Sequence, residues 1–160
     1  MDNGKTYIQI LVDTQVKKTE LLKNLTKSSE EQESLLDGPD FDLDEFNKLV
    51  RQKDKDISKL NELDNGFEKL YKRVGEELQD NKYAYKDEIE KLKETITNIA
   101  DLSIKLETKE KANKIRLETY LSNQRKEIKD FKKSKLTASN YKKSMSDQDI
   151  GQAHFFDTKK

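Results

Sequence analysis

Apolar residues recur along this chain at spacings of three and four, the period of helices buried on one face. Ile8, Leu11, Leu22, Leu25 and Leu36 fit one seam with a repeat of seven. Tyr7, Val12, Val16, Leu21 and Leu35 lie beside it. The pattern predicts a first helix from about Lys5 to about Leu36. Gln15, Lys18, Ser29 and Gln32 dilute the seam, so this helix is expected to dock more weakly than the others. Asp37-Gly38-Pro39-Asp40 ends it: Gly38 suits a left-handed C-cap, and Pro39 does not continue a helix.

The second helix opens with Asp42 as cap and Glu45 three residues on, the spacing of a capping box. Phe41 and Phe46 are placed to form a hydrophobic staple. The richest stripe of the chain follows, from Phe46, Leu49 and Val50 through Ile57, Leu60, Leu63, Phe67, Leu70, Tyr71 and Val74 to Leu78. Gly66 and Gly75 interrupt it. Each costs about 1 kcal/mol relative to alanine inside a helix, which suggests either close helix approach or, at Gly75, the beginning of the helix end.

Gln79-Asp80-Asn81 is the next expected break. A third helix then carries Tyr85, Ile89, Leu92, Ile96, Ile99, Leu102 and Leu106. Asp87–Lys91, Glu107–Lys111 and Glu110–Lys114 have the spacing of helical ion pairs. The stripe fades over Thr108–Lys114 and resumes with Ile115, Leu117, Tyr120, Leu121, Ile128 and Phe131. From Ser134 the pattern is lost. The expected fold is therefore all-α: an elongated antiparallel bundle or coiled coil of about three long helices. Residues 1–134 form the bundle domain, and 135–160 form a flexible C-terminal tail with isolated apolar groups such as Leu136, Tyr141 and Phe155.

Composition narrows the picture. Of 160 residues, 32% are apolar and 40% charged, too few apolar groups for a large core and typical of long solvated helices. One proline and five glycines leave little for tight turns and sheets, and the absence of cysteine excludes disulfides and thiolate metal sites. No secretory h-region follows Met1, and no run approaches the roughly 20 apolar residues that span a bilayer, so a cytoplasmic protein is expected. Net charge is zero but unevenly placed. Glu30 to Glu68 holds 13 acids and 5 bases, whereas Lys111 to Lys143 holds 11 bases and 3 acids. Opposite blocks of equal size point first to internal pairing.

If the chain turns near residue 80, an antiparallel hairpin sets Phe46 near residue 114. The acidic start of the second helix then faces the basic stretch from Lys111. The run from Leu117 to Phe131 is left without a partner of matching length over roughly 20 Å. An apolar stripe with no internal partner marks a binding surface.

Catalytic chemistry has no foothold in this reading. His154 is the only histidine, so neither a Ser-His-acid relay nor a histidine metal site assembles from this sequence. No glycine-rich phosphate loop exists. Carboxylates are frequent enough that pairs arise by chance. The expectation is a non-enzyme without cofactors or metals. Arg125, Lys126, Lys129, Lys132, Lys133, Lys135, Lys142 and Lys143, with Phe131 and Tyr141 interleaved, form a basic region. The plainer reading is a helix C-terminus whose bases complement the dipole; contact with nucleic acid or an anionic membrane is the sharper alternative.

Four segments resemble the FlgN family of bacterial flagellar export chaperones. They are Leu21-Leu22 with the later Glu30-Glu31-Gln32-Glu33-Ser34-Leu35-Leu36; the entry Phe41-Asp42-Leu43-Asp44-Glu45-Phe46; the alternation from Lys53 to Leu63; and Glu110-Lys111-Ala112-Asn113-Lys114 followed by Leu117 and Leu121. Asn140-Tyr141-Lys142-Lys143-Ser144-Met145 and His154-Phe155-Phe156-Asp157 are similar to tails of the group. The resemblance spans about residues 5–157 at the level of pattern. Gln79-Asp80-Asn81-Lys82-Tyr83 departs from it, standing where the family has a longer insert, and FliT-like chaperones share the size and helical content. The resemblance implies a cytoplasmic chaperone of type III export. Such a protein binds terminal amphipathic helices of hook-associated proteins, prevents their premature assembly and delivers them to the export apparatus. It implies partner contacts at Asn113, Leu117, Tyr120, Leu121, Gln124, Ile128 and Phe131, in a helix-in-groove mode. Tyr141 is implied as a contact with the export apparatus.

The main alternative is a coiled-coil scaffold that self-associates through the same stripes. It calls for an unbroken apolar seam, and Thr108–Lys114 breaks it. A nucleic-acid binder calls for a basic chain, and this one is neutral. Neither nucleic-acid binding nor membrane insertion is expected.

Overall fold

Asp42 starts the second helix as its chemistry requires. Its carboxylate accepts hydrogen bonds from the backbone N–H groups of Asp44 (3.0 Å) and Glu45 (3.2 Å). Phe41 meets Phe46 edge to face at 5.6 Å, which closes the expected staple. Glu45 engages Lys48 at 3.0 Å.

The computed structural model describes residues 3–79 and 82–142. Helix α1 is Asn3–Asp37 and α2 is Leu43–Glu77, followed by a short 3-10 turn at Lys82–Tyr85 and then α3, Lys86–Lys142. No strand occurs among the described residues. The expected all-α class with three long helices holds. Helix α3 runs to Lys142, through the first part of the segment expected to be a tail; the remainder of that segment lies outside the described residues.

The chain divides into two compact units, Met1–Asn113 and Lys114–Lys160. In the N-terminal unit, α1 and the first part of α3 run parallel to each other and antiparallel to α2. One core cluster joins Ile8, Leu11 and Val12 to Val74, Leu78 and Leu92, with Tyr7, Phe67, Leu70, Tyr85, Ile89 and Ile96 against it. A second joins Leu22 and Leu25 to Ile99, with Leu60, Leu102 and Leu106. Near the chain start Gly4 lets the helices close. A Cβ there would lie 2.8 Å from a Leu78 methyl and 2.9 Å from the Tyr85 ring.

Several expectations are corrected. Helix α1 is not the weakly docked element, because three of its four diluting residues are themselves buried. Gln15 and Gln32 are each 2% exposed, and Ser29 is fully enclosed. Polar seam positions did not keep the helix out of the core because three of them found polar partners on α2 and α3. Gly38 does not adopt a left-handed backbone. Its N–H donates to the Ser34 carbonyl at 3.2 Å and completes the last helical turn. Gly66 and Gly75 serve no close approach, since a Cβ at either meets open space, and α2 continues past Gly75 to Glu77. The hairpin register is displaced by about three residues: Lys53 pairs with Glu110, a midpoint between 81 and 82.

The charge blocks also pair differently from expectation. Lys18 of α1 meets Asp64 of α2, Lys109 of α3 meets Glu33 of α1 at 3.4 Å, and Lys53 from the acidic stretch meets Glu110. Glu107–Lys111 forms within α3 at 3.1 Å as expected, while Glu110 turns to α1 and α2.

Candidate partner-binding site

The expected contact residues fall into two settings. Asn113 belongs to the N-terminal unit and is buried, its side-chain amide donating to the Ser29 carbonyl at 2.9 Å. It holds α3 against α1 and does not offer its side chain to a partner. The other expected contacts lie on α3 in the C-terminal unit.

Among the described residues that second unit contains one element, the run of α3 from Lys114 to Lys142. Leu117, Leu121, Gln124, Ile128 and Phe131 follow one another at spacings of four, three, four and three. That is the period of a seam that meets another helix. Tyr120 lies beside it. Leu117, Tyr120, Leu121, Gln124 and Ile128 are half-buried, while Phe131 is 52% exposed with Lys135 over its ring at 5.0 Å. Ile115, 64% exposed, sits off this face. Tyr141 falls within α3, and its side chain lies outside the described residues.

Within the N-terminal unit is a polar layer that pattern reading missed as a whole. Glu110 accepts from both the Ser29 hydroxyl and the Lys53 ammonium. Lys53 also donates to Gln32 Oε1 at 2.8 Å, and Gln32 Nε2 reaches the Phe46 carbonyl at 3.4 Å. Asn113 completes the set through Ser29. Lys53 is buried here, its ammonium served by two acceptors, which satisfies the requirement for enclosing a charge. The signal was present in sequence. Ser29 and Gln32, Lys53 and Asp56, Glu110 and Asn113 are three polar pairs, each three residues apart on a core-facing stripe.

No cluster of three histidine, cysteine or acidic side chains able to hold a metal exists among the described residues, and no described helix is long and apolar enough to cross a membrane. The basic residues of α3 instead surround the seam's C-terminal half: Arg125, Lys126, Lys129, Lys132, Lys133 and Lys135 lie within eleven positions, with Glu127 and Asp130 as the acids. Such a helix has the chemistry to hold another helix by apolar contact and charge. No family model, curated protein or solved structure matches the chain.

Proposed function

We propose that the chain is a binding protein that captures an amphipathic helix of a partner on the α3 face from Leu117 to Phe131. In its specific form, the proposal is a cytoplasmic chaperone of bacterial flagellar type III export. It holds the terminal helices of hook-associated proteins, which would otherwise assemble or aggregate, and passes them to the export apparatus. The observation that supports it most is the seam itself: five positions at helix-pairing spacing, ending in a half-exposed phenylalanine, in a unit whose described part is one helix. A single helix buries its stripe only against something else. The flagellar assignment rests on the resemblance of the four segments given above, and Tyr141 is assigned to the export apparatus on that basis alone.

The test separates fold from binding. Phe131→Asp, and separately Leu117→Asp with Leu121→Asp, are expected to leave the melting temperature of the free protein within a few degrees of wild type. Both are expected to abolish calorimetric binding of a hook-associated protein's terminal fragment. A charge at an exposed position such as Phe131 costs little until a partner must cover it, at the half-buried Leu117 and Leu121 it costs somewhat more, and in a core it costs several kcal/mol. Unfolding of the Leu117/Leu121 variant would show that those residues are core. Undiminished binding by all variants would place the site elsewhere. Binding of unrelated acidic helices but of no flagellar cargo would retain the surface and remove the flagellar assignment.

A further inference from the structure

Resting on that reading of the α3 face, we propose that the helix it takes is acidic along the half that meets residues 125–135, and that charge, not apolar contact alone, selects it. The seam is apolar at Leu117 and Leu121, polar at Gln124, and apolar again at Ile128 and Phe131. From Arg125 to Lys135 six bases and two acids leave a net charge of +4. Arg125 and Lys132 each directly follow a seam residue, Gln124 and Phe131, on the same flank. In paired helices that flank faces the charges of the partner. A partner with carboxylates there gains at both positions, and one with lysines is repelled.

The same charges argue against other occupants. Two copies of this run in parallel oppose +4 to +4. In antiparallel they bring residues 125–135 against Lys114, Arg116 and Glu118, which supply no net negative charge. The chain's own acidic stretch, Glu30 to Glu68, already turns Phe46 and Leu60 into the N-terminal unit and has no free apolar side of matching richness. A bilayer would have to cover Gln124 and Glu127, which lie on or beside the seam, at the cost of desolvating both. Nucleic acid would leave the seam's leucines, isoleucine and phenylalanine unused.

The experiment uses the full chain and three labelled peptides of about 21 residues sharing one leucine seam and differing only at the flanking positions, which are glutamate, glutamine or lysine. Binding is read by fluorescence anisotropy at about 50 mM and about 300 mM salt. The glutamate peptide is expected to bind about tenfold tighter than the glutamine peptide, as two ion pairs at the upper end of the range for exposed pairs imply, and the lysine peptide weakest of all. The advantage should shrink at the higher salt. In the double variant Arg125→Glu, Lys132→Glu, with unchanged helical circular dichroism, the order should invert. Equal binding of the glutamate and glutamine peptides overturns the charge selection while leaving the docking face standing. No binding of any peptide overturns both. Tighter binding to phosphatidylserine vesicles than to the glutamate peptide, or self-association that excludes the peptides, overturns the proposal in favour of a lipid surface or a second copy.

Discussion

Glu110→Ala is the substitution on which the physical account of the bundle depends most. Its carboxylate accepts from the Lys53 ammonium and from the Ser29 hydroxyl, so removing it takes an acceptor from two donors. The Lys53 side chain is only 10% exposed and would keep a single acceptor, Gln32 Oε1 at 2.8 Å. Breaking a fully buried pair costs about 3–5 kcal/mol. The Glu110 side chain is 40% exposed, so water can enter the vacated space and the cost is reduced to about 2 kcal/mol. Lys53→Met is expected to be the milder change although it removes the more buried residue. It deletes the charge that required compensation, keeps most of the side-chain volume, and leaves a carboxylate that reaches solvent, for about 0.5–1 kcal/mol. The double variant Lys53→Met, Glu110→Leu should return close to wild type. Urea unfolding of the four proteins measures this, and at a slope of about 2 kcal/mol per molar the Glu110→Ala midpoint should fall by about 1 M. If Glu110→Ala is no worse than Lys53→Met, the layer is hydrated and contributes nothing, and its assignment as a compensated buried charge is wrong.

Other positions give independent checks, each read as a melting temperature or an unfolding free energy. Phe46→Ala is expected to cost about 3 kcal/mol, since the ring is buried against Phe41. Phe67→Ala should cost about half as much, because its ring is only half-buried between Tyr71, stacked at 5.5 Å, and the Lys18 ammonium at 5.3 Å. Gly66→Ala and Gly75→Ala should each stabilise by about 0.5–1 kcal/mol, as both lie inside α2 with open space at the added methyl; destabilisation at either would reveal an unseen contact. Asp42→Ala should cost about 1 kcal/mol through loss of the α2 cap.

Much of the architecture was legible in the sequence because apolar periodicity and local start signals act over short range. The α2 entry is the clearest case: Asp42, Phe41 and Phe46 behave as their spacing predicts because a cap and a staple involve only one turn of chain. The end of α1 was legible in place but not in mechanism. Pro39 stops the helix whatever Gly38 does, so the sequence located the boundary without determining the backbone of the glycine. The register between α2 and α3 was less legible, since a hairpin counted from a turn is uncertain by the length of the turn. Here the short 3-10 segment at Lys82–Tyr85 shifts it by about one helical turn. Of the expected contact residues, Asn113 differed most in setting. A polar side chain in a seam reads equally as a binding group or as a buried partner, and only the presence of Ser29 opposite decides between them.

The same ambiguity governs the polar positions of α1, which read differently singly and together. Taken singly, Ser29 and Gln32 weaken a seam, the absence of an apolar residue between Val50 and Ile57 thins a stripe, and Thr108–Lys114 interrupts another. Taken together, the three interruptions fall at one level of an antiparallel arrangement, because Lys53 and Glu110 are nearly equidistant from the α2–α3 turn and Ser29 meets Glu110. One polar gap in one helix is a loss of burial. Three gaps at matched depth, carrying a hydroxyl, two amides, an ammonium and a carboxylate, form a linked set in which the ammonium, the carboxylate and the hydroxyl are all paired, while Asn113 Oδ1 alone is left without a partner. Such a layer also opposes slippage. Sliding α1 by one heptad would place Ser29 and Gln32 against apolar residues and leave Lys53 and Glu110 without them, a cost that an all-leucine seam would not impose. The interruption at Thr108–Lys114 is therefore no end to α3, which continues through it to Lys142; it marks where the helix exchanges apolar for polar contact before the Leu117 seam begins.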